Sequence, residues 1–280
     1  MNGLLEFTLL IAAGSFLAGL LGSLTGLGGG VIIVPLLTLV FHVDIRYAIG
    51  ASLVSVIGTS SGAAAAYLKE GYSNIRVGMF LEVATTIGAL CGAYLATRIP
   101  TAAIAIIFGL VLLYSAWTSA RPDEVVPIQE HSDRFAALLK LDGTYPVGDG
   151  GHRAYHVRRV PLGFGLMYVA GTLSGLLGIG SGAVKVLAMD RAMSIPFKVS
   201  TTTSNFMIGV TAAASAGIYL HRGYIDPGLA MPVMLGVLLG ALIGARILPV
   251  AKVRTLRMIF SIAIAAVAVE MIVKAVKGSL

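Results

Sequence analysis

Three long stretches with almost no charge limit the folds that this chain can adopt. Residues 77–96 contain one charged side chain, Glu82, and residues 101–120 and 227–245 contain none. A helix of about 20 residues spans the roughly 30 Å hydrocarbon core of a bilayer, whereas the strands of a membrane barrel are shorter and alternate in polarity. These stretches do not alternate, so the sequence predicts membrane-spanning helices.

The composition agrees with a protein that has the lipid bilayer as its main surroundings. The chain is 57% hydrophobic and 12% charged, whereas soluble domains carry about 25% charged residues. Its net charge of +7 is typical of a membrane protein with basic cytoplasmic loops, so we expect no nucleic-acid partner. The single cysteine, Cys91, lies in an apolar stretch and predicts neither an intrachain disulfide nor a metal cluster. We expect no cofactor.

The chain repeats itself at an offset of 152 positions. Between residues 18–93 and 170–245, about twenty of about 76 aligned pairs are identical, where the composition gives about six by chance. The identities include the glycine clusters at residues 26–30 and 178–182, the pair Ser52 and Ser204, and the pair Thr59 and Thr211. The sequence therefore predicts two homologous halves.

Each half contains five apolar segments, and the second segment is too short to cross a bilayer. We interpret the first two segments as a broken, re-entrant pair, followed by three full crossings. An odd number of net crossings makes the second repeat inverted. The prediction is an all-α polytopic membrane protein with a first transmembrane repeat at residues 1–119, a polar cytoplasmic loop at 120–159 and a second repeat at 160–280. In the loop, His152 and His156 stand at helical spacing near Asp149, which favours a solvated helix over a metal site.

The basic residues predict the orientation of the chain in the inner membrane. This topology places five basic residues on one side, among them Arg46, Arg98 and Lys274, and thirteen on the other, among them Arg76 and Lys198. Basic residues accumulate in cytoplasmic loops, so the second side is predicted to be cytoplasmic and both termini extracytoplasmic.

The two glycine clusters are the strongest candidates for a binding site. Glycine allows the backbone to approach another group closely, and broken backbone inside a membrane is tolerated only within protein or beside a water-filled cavity. Two breaks at matching places in inverted halves indicate a site between the repeats; close helix packing is the alternative. The candidate substrate-binding residues here are Gly28, Gly29, Gly30, Gly180, Ser181 and Gly182. For Gly88, Gly92, Gly240 and Gly244, packing is the favoured interpretation.

Ionisable residues inside apolar segments are functional candidates by default. Lys185 follows the second glycine cluster, so it is a candidate ligand for an anion, with snorkelling to the interface as the alternative. Glu82 and Glu270 are candidate coupling residues, or members of structural ion pairs. Ser52, Ser204 and Asn205 lie in hydroxyl-rich segments and either contact substrate or make caps and helix–helix hydrogen bonds.

These residues resemble the sulfite exporter TauE/SafE family, also called the toluene sulfonate uptake permease family. The resemblance rests on residues 18–30 with Pro35, on residues 171–182 with Lys185 and Val186, and on residues 200–206. It implies transport of sulfite, thiosulfate, sulfonates or other small organic anions. Leu187 departs from the pattern, since the family often has proline there, and we expect the second short helix to start or bend differently.

The function predicted from the sequence is secondary transport of a small sulfur-containing or organic anion by alternating access. A passive anion channel is the alternative, and an enzyme with Ser181 as nucleophile is weakly supported because no histidine lies in an apolar segment. The sequence leaves open the particular anion, the direction of transport, the coupling ion and a homo-oligomeric state.

Overall fold

The computed structural model describes residues 2–25, 30–69, 72–120, 133–146, 151–247 and 253–278, and these residues are mostly helical. The first half contains α1 (Asn2–Thr25), α2 (Gly30–Pro35), the π-helical turn π1 (Leu36–Val40), α3 (Ile45–Lys69), α4 (Ile75–Ala96) and α5 (Thr101–Ala120). The central segment contains α6 (Arg134–Leu138), β1 (Gly143–Pro146) and β2 (His152–Tyr155). The second half contains α7 (Val160–Leu177), α8 (Gly182–Leu187), the π-helical turn π2 (Ala188–Ala192), α9 (Phe197–His221), α10 (Pro227–Ile247) and α11 (Val253–Val276).

The all-α polytopic prediction is confirmed for the membrane part of the chain. Five of the described helices, α1, α4, α5, α7 and α10, are long and apolar enough to cross a bilayer. Helices α3 and α9 each have 25 residues but carry many hydroxyl groups. These two helices pack against each other, with α4 and α10 on their outer sides. Their polar side chains can therefore face protein while the surrounding helices face lipid.

The central segment differs from the prediction of a loop helix around His152 and His156. Strands β1 and β2 form an antiparallel hairpin in which Pro146 faces His152 and Gly143 faces Tyr155. His152 therefore belongs to a strand, and the His156 imidazole pairs with Asp142 at 3.1 Å. In this strand only Tyr155 is buried and the three residues before it are exposed. Asp149 lies outside the described residues.

The same kinds of element recur 152 positions apart in the two halves. Helices α2 and α8 both have six residues and are followed directly by five-residue π-helical turns. The residues after these turns, His42 and Ser194, both have left-handed backbone, with φ of 54° and 57°. Leu187 occupies the place of Pro35, and the described part of each short helix has six residues. The expected difference in start or bend stays a prediction, because residues 26–29 lie outside the described residues.

One end of the helix bundle, here called the first end, gathers residues from several loops. The ring of Phe7 lies 5.8 Å from that of Phe41, and the Arg46 guanidinium donates to the carbonyl of Ile99 at 3.0 Å. Tyr47 and Tyr224 form an edge-to-face pair at 5.5 Å. The start of α1, the end of π1, the α4–α5 turn and the α9–α10 turn therefore meet at this end.

The opposite end, here called the second end, is covered by the central segment. The side-chain nitrogen of Asn74 donates to the carbonyl of Leu141 at 2.9 Å and to the hydroxyl of Tyr155 at 2.7 Å. The Asn74 backbone N–H donates to Thr203 Oγ1 at 3.0 Å, and the Arg158 N–H donates to the carbonyl of Met193 at 3.1 Å. Burial raises the pKa of the Tyr155 phenol, so the phenol stays protonated and neutral. The α3–α4 loop, the central segment and the π2–α9 loop share this end.

These contacts fix the directions of the helices. Helix α3 runs from the first end to the second, and α9 runs the other way, so the two are antiparallel. Four of the described basic residues lie where the sequence predicts them, with Arg46 and Lys274 at the first end and Arg76 and Lys198 at the second. Which end faces the cytoplasm stays a prediction.

Glycines allow two pairs of helices to pack with their backbones in contact. A Cβ on Gly88 or Gly92 of α4 would collide with the carbonyl oxygens of Tyr168 and Thr172 in α7. In the other pair, a Cβ on Gly240 of α10 would collide with the carbonyl of Phe16 in α1. Close approach of this kind drives helix association in lipid. The packing interpretation is confirmed for Gly88, Gly92 and Gly240 and stays a prediction for Gly244.

Candidate substrate site

The second glycine cluster forms a sharp break between α7 and α8. Gly178 ends α7 with φ of 68°, and its N–H donates to the carbonyl of Ser174 at 2.8 Å. Gly180 and Ser181 also have left-handed backbone, with φ of 70° and 46°. A non-glycine residue rarely adopts this conformation, and such strained positions are concentrated at functional sites. The break is buried throughout, from Gly178 to Ser181.

The break lies between α3 and α9, where the two halves of the chain meet. The hydroxyl of Ser52 on α3 donates to the carbonyl of Gly178 at 2.7 Å. A Cβ on Gly180 would contact Val56 of α3 and Ile208 of α9, and a Cβ on Gly30 would contact Ser52 Oγ and the Gly178 carbonyl. The start of α2 in the first half therefore lies against the break of the second half. Gly28 and Gly29 lie outside the described residues.

The hydroxyl groups predicted for the site make backbone hydrogen bonds. Ser204 Oγ donates to the carbonyl of Gly182 at 3.4 Å, as Ser52 does to Gly178. Asn205 follows Ser204 on α9 and is half-buried. Both serines thus hold the short helix α8 and the break that precedes it against the long helices α3 and α9, which agrees with the helix–helix interpretation. They lie beside the break and shape it.

Lys185 points into the interior of the protein. It is 0% exposed, and its Nζ donates to Thr211 Oγ1 at 2.5 Å. Thr211 lies near the middle of α9, and its hydroxyl donates to Glu82 Oε1 at 2.7 Å. The side chain therefore does not snorkel to the interface. Instead, Thr211 bridges an ammonium group on α8 and a carboxylate on α4.

Two polar atoms close to this bridge are buried without a hydrogen-bond partner among the described residues. They are the second carboxylate oxygen of Glu82, Oε2, and the hydroxyl oxygen of Ser181. Glu82 is 8% exposed and Ser181 is 3% exposed. A buried polar group without a partner costs about 1–3 kcal/mol. The site can therefore accept a proton, a water molecule or a ligand at these atoms.

Glu270, the second predicted coupling residue, has a different environment. Its carboxylate pairs with Lys274 one turn later on α11, at 3.1 Å, and the Glu270 side chain is 53% exposed. Sequence reasoning did not select Thr211 or Thr86, whose hydroxyl donates to Glu82 Oε1 at 3.2 Å. The repeat alignment marked Thr211 through its match to Thr59, but hydroxyl residues are too common in α9 for sequence to single it out.

Comparison with known proteins identifies the family of this chain. A family model described as sulfite exporter TauE/SafE matches residues 11–271. The chain is similar to YunE of Bacillus subtilis, named as a probable membrane transporter protein, with 26% identity over 275 residues, 96% of this chain and 98% of that protein. It is similar to YdhB of the same organism, with the same designation, with 28% identity over 239 residues, 85% of this chain and 89% of that protein.

A third relative is the probable membrane transporter protein MJ0441 of Methanocaldococcus jannaschii, 26% identical over 272 residues, which cover 92% of each chain. No solved structure gives a significant match to the chain. The family description and the names of these relatives, together with the apolar helices, indicate a membrane transporter. The chain belongs to the sulfite exporter TauE/SafE family.

Proposed function

We propose that this chain is a secondary transporter that moves small sulfur-containing or organic anions through the membrane by alternating access of a site at the second glycine break. The substrate class follows from the chemistry of the site and from the family description. The two halves act as inverted repeats in this proposal, which the antiparallel directions of α3 and α9 support.

The observation that carries the proposal is the complete burial of Lys185. A buried ammonium group is costly unless a counter-charge lies near it. Glu82 supplies that charge only through Thr211, so the ammonium group has a hydroxyl rather than a carboxylate as its direct partner. An anion that binds beside Lys185 would replace an indirect partner with a direct one. Sulfite, sulfonates and carboxylates carry suitable oxygen acceptors.

The break supplies the remaining features of an anion site. Glycine at positions 180 and 182 lets a substrate approach the backbone closely, and the Ser181 hydroxyl is a donor that has no partner among the described residues. Val56 and Ile208 form an apolar wall. A pocket with a few directed polar groups in apolar surroundings is typical of small-ligand sites.

Glu82 offers a way to couple the anion to a proton. With Glu82 ionised, Thr211 holds the ammonium group and the carboxylate together. A proton that binds to Glu82 neutralises the carboxylate, and Lys185 then lacks a counter-charge, which an anion can supply. One proton would therefore move with each anion charge that binds.

Alternating access explains why the site is closed in this structure. Lys185 has no exposed surface, so a substrate reaches it only when one half moves relative to the other. Rocking of inverted repeats around a fixed central site is the general mechanism of such transporters. A passive anion channel is the second candidate function; it would show neither saturation nor counterflow. We propose no enzymatic role for Ser181, because its hydroxyl has no base as a partner among the described residues.

The test uses purified protein in liposomes, with radiolabelled sulfite, thiosulfate and methanesulfonate as probes. We expect saturable uptake and counterflow of at least one of them. Lys185→Ala should raise the half-saturating concentration by about ten- to a hundredfold, because hydrogen bonds to charged groups contribute about 1.5–3 kcal/mol. Lys185→Arg should retain part of the function, since the charge stays but the shape changes, and Lys185→Glu should be inactive.

The matched control is Lys277→Ala, which removes a lysine from the exposed end of α11 and should behave as wild type. Flux that is linear in anion concentration, without counterflow, would instead support a channel. Unchanged affinity in Lys185→Ala, with normal protein levels in the membrane, would remove Lys185 from the site.

A further inference from the structure

A cavity of about 320 Å³ opens at the first end of the protein, remote from the central segment. It lies between π1, the start of α3, the start of α5 and the last turn of α11. Its polar lining comes from Thr38, His42, Asp44, Thr101 and Lys274. A water molecule occupies about 30 Å³ of the liquid, so this cavity can hold a small organic anion together with several waters.

The inner wall of the cavity contains a hydroxyl group that the described residues leave unused. Thr38 is 6% exposed, and its Oγ1 has no hydrogen-bond partner among the residues that the structure describes. Threonine in a helix usually donates to a carbonyl one turn earlier, as Thr59 and Thr202 do here. Thr38 instead lies on a π-helical turn. This geometry is rare in proteins overall, and where it occurs it is often at a functional site.

Lys274 is the cation in the lining of the cavity, and the acidic group of an anion would bind there. The ammonium group of Lys274 pairs with Glu270, but partly exposed pairs within one helix contribute only about 0.3–0.5 kcal/mol, so an incoming anion can replace Glu270. The carboxylate of Asp44 is turned towards its own helix, where Oδ1 accepts from the Arg46 N–H at 2.8 Å. His42 lies at the exposed mouth, and the Arg46 guanidinium lies close by, over the ring of Tyr224.

The cavity is connected to the central site through one short helix. Thr38 belongs to π1, which continues α2, and α2 begins at Gly30 against the carbonyl of Gly178. A group bound at Thr38 therefore contacts π1, and the helix α2 that precedes π1 begins against the central break.

The equivalent position in the second half is built differently. Asp190 takes the place of Thr38, and Ser194 takes the place of His42, each 152 positions later. There, the central segment packs against the π2–α9 loop, with the Arg158 N–H donating to the Met193 carbonyl. Thr38 and His42, two of the polar residues that line the cavity, are therefore not repeated in the second half.

We propose that this cavity is a second binding site for the transported anion, an outer subsite in which Lys274 binds the acidic group and Thr38 donates a hydrogen bond to it. The proposal rests on the proposed anion transport. The subsite captures the anion at the first end before it moves along π1 and α2 towards Lys185.

The experiment separates the two sites by removing the central one. Binding of the anion that wild type transports, and of methanesulfonate, is measured by calorimetry on the purified Lys185→Ala protein. We expect weak residual binding there. Adding Lys274→Gln should raise the residual Kd by at least about tenfold, and adding Thr38→Val, which preserves the side-chain shape, should raise it by about three- to tenfold. Adding Lys277→Gln, three residues beyond Lys274, should leave it unchanged.

The outcomes distinguish this proposal from the proposed function. Residual binding that depends on Lys274 and Thr38 supports the outer subsite, even in a protein that transports none of the probes. Transport by wild type, combined with no binding to Lys185→Ala, would overturn the outer subsite and leave the transport function intact. Residual binding that Lys274→Gln and Thr38→Val do not change would also overturn it, provided that both variants elute as single species.

Discussion

Thr211 joins two ionisable residues that come from different halves of the chain. Its hydroxyl accepts a hydrogen bond from Lys185 and donates one to Glu82. A hydroxyl has one proton to give and two lone pairs with which to accept, so it suits this bridging position. A neutral side chain therefore separates the ammonium group from the carboxylate, so the direct partner of Lys185 is a hydroxyl group.

Removal of the bridging hydroxyl should disturb both charges. Thr211→Val keeps the shape of the side chain but leaves a buried ammonium group and a buried carboxylate without their shared partner. We expect the half-saturating anion concentration to change by at least about tenfold, because hydrogen bonds to charged groups contribute about 1.5–3 kcal/mol. Thr211→Ser retains the hydroxyl and should transport within about threefold of wild type. Equal behaviour of the two variants in liposome uptake would contradict a bridging role.

Glu82→Gln tests the coupling proposed for the carboxylate. The amide is neutral at every pH, so uptake by this variant should lose the pH dependence of wild type, in which a lower external pH should increase the initial rate. Counterflow of labelled against unlabelled anion should persist, since exchange needs no net proton movement. Glu6→Gln, on the exposed first turns of α1, is the matched control and should retain the wild-type pH profile. A pH-dependent Glu82→Gln protein would exclude this residue as the proton carrier.

At the scale of elements, glycine has two different uses in this protein. On the long helices α4, α7 and α10 it allows backbones to touch, and at the break before α8 it allows left-handed backbone. The two uses predict different consequences when a side chain is added. The first affects stability, and the second affects transport.

Gly175 of α7 represents the packing use. A Cβ there would collide with the carbonyl of Ala89 in α4, so Gly175→Val must push two helices apart. Overpacking of a tight interface costs about 1–3 kcal/mol or more, and we expect a clearly lower midpoint in thermal unfolding of the detergent-solubilised protein. Gly165→Val, on the same helix but facing open space, should unfold close to wild type. Similar midpoints for both variants would contradict the close α4–α7 contact.

Gly180 represents the conformational use, and Gly223 is its control. Both have left-handed backbone, with φ of 70° and 75°, but a Cβ on Gly180 meets Ile208 while a Cβ on Gly223 meets nothing within 4 Å. Alanine at either position should cost about 1–2 kcal/mol of backbone strain. We expect Gly180→Ala to abolish uptake and Gly223→Ala to transport normally. Normal transport by Gly180→Ala would indicate that the break has only a packing role.

At the scale of the whole molecule, the described ends of the chain lie at the same end of the bundle. Phe7 contacts Phe41, and Lys274 lines the cavity beside Thr101. The other end carries the central segment with its basic residues. The asymmetry in basic residues predicts that the first end is extracytoplasmic.

Labelling of single cysteines tests that orientation. In a Cys91→Ser background, Lys277→Cys at the first end should react with a membrane-impermeant maleimide in intact cells. Leu138→Cys, which is 76% exposed in the central segment, should react only after lysis. Both variants remove an exposed residue, so each is the control for the other. The reverse labelling pattern would show that the protein has the opposite orientation in the membrane, and it would leave the fold unchanged.

The class of the fold and the position of the break before α8 could both be predicted from the sequence alone. Apolar stretches of about 20 residues have few solutions other than helices in lipid, and the repeat at 152 positions places α2, π1 and α3 in correspondence with α8, π2 and α9. Lys185 and Glu82 could be identified from the sequence because a charged residue inside an apolar stretch is energetically costly and therefore rare. The central hairpin could not be predicted from the sequence, because two four-residue strands give a weak pattern and the spacing of His152 and His156 also fits a helix.

Which of these residues come into contact depends on how the helices pack. The distance along the chain between Glu82 and Thr211 says nothing about their contact, which depends on α4 packing against α9. The packing of the other helices likewise leaves Glu270 on an exposed face of α11, places Gly30 against Gly178, and forms the cavity at Thr38 and Lys274. Local sequence sets the preference of each segment for helix, turn or lipid, but side chains from separate helices converge only when the backbones pack, and that depends on long-range fit at glycines such as Gly92 and Gly175.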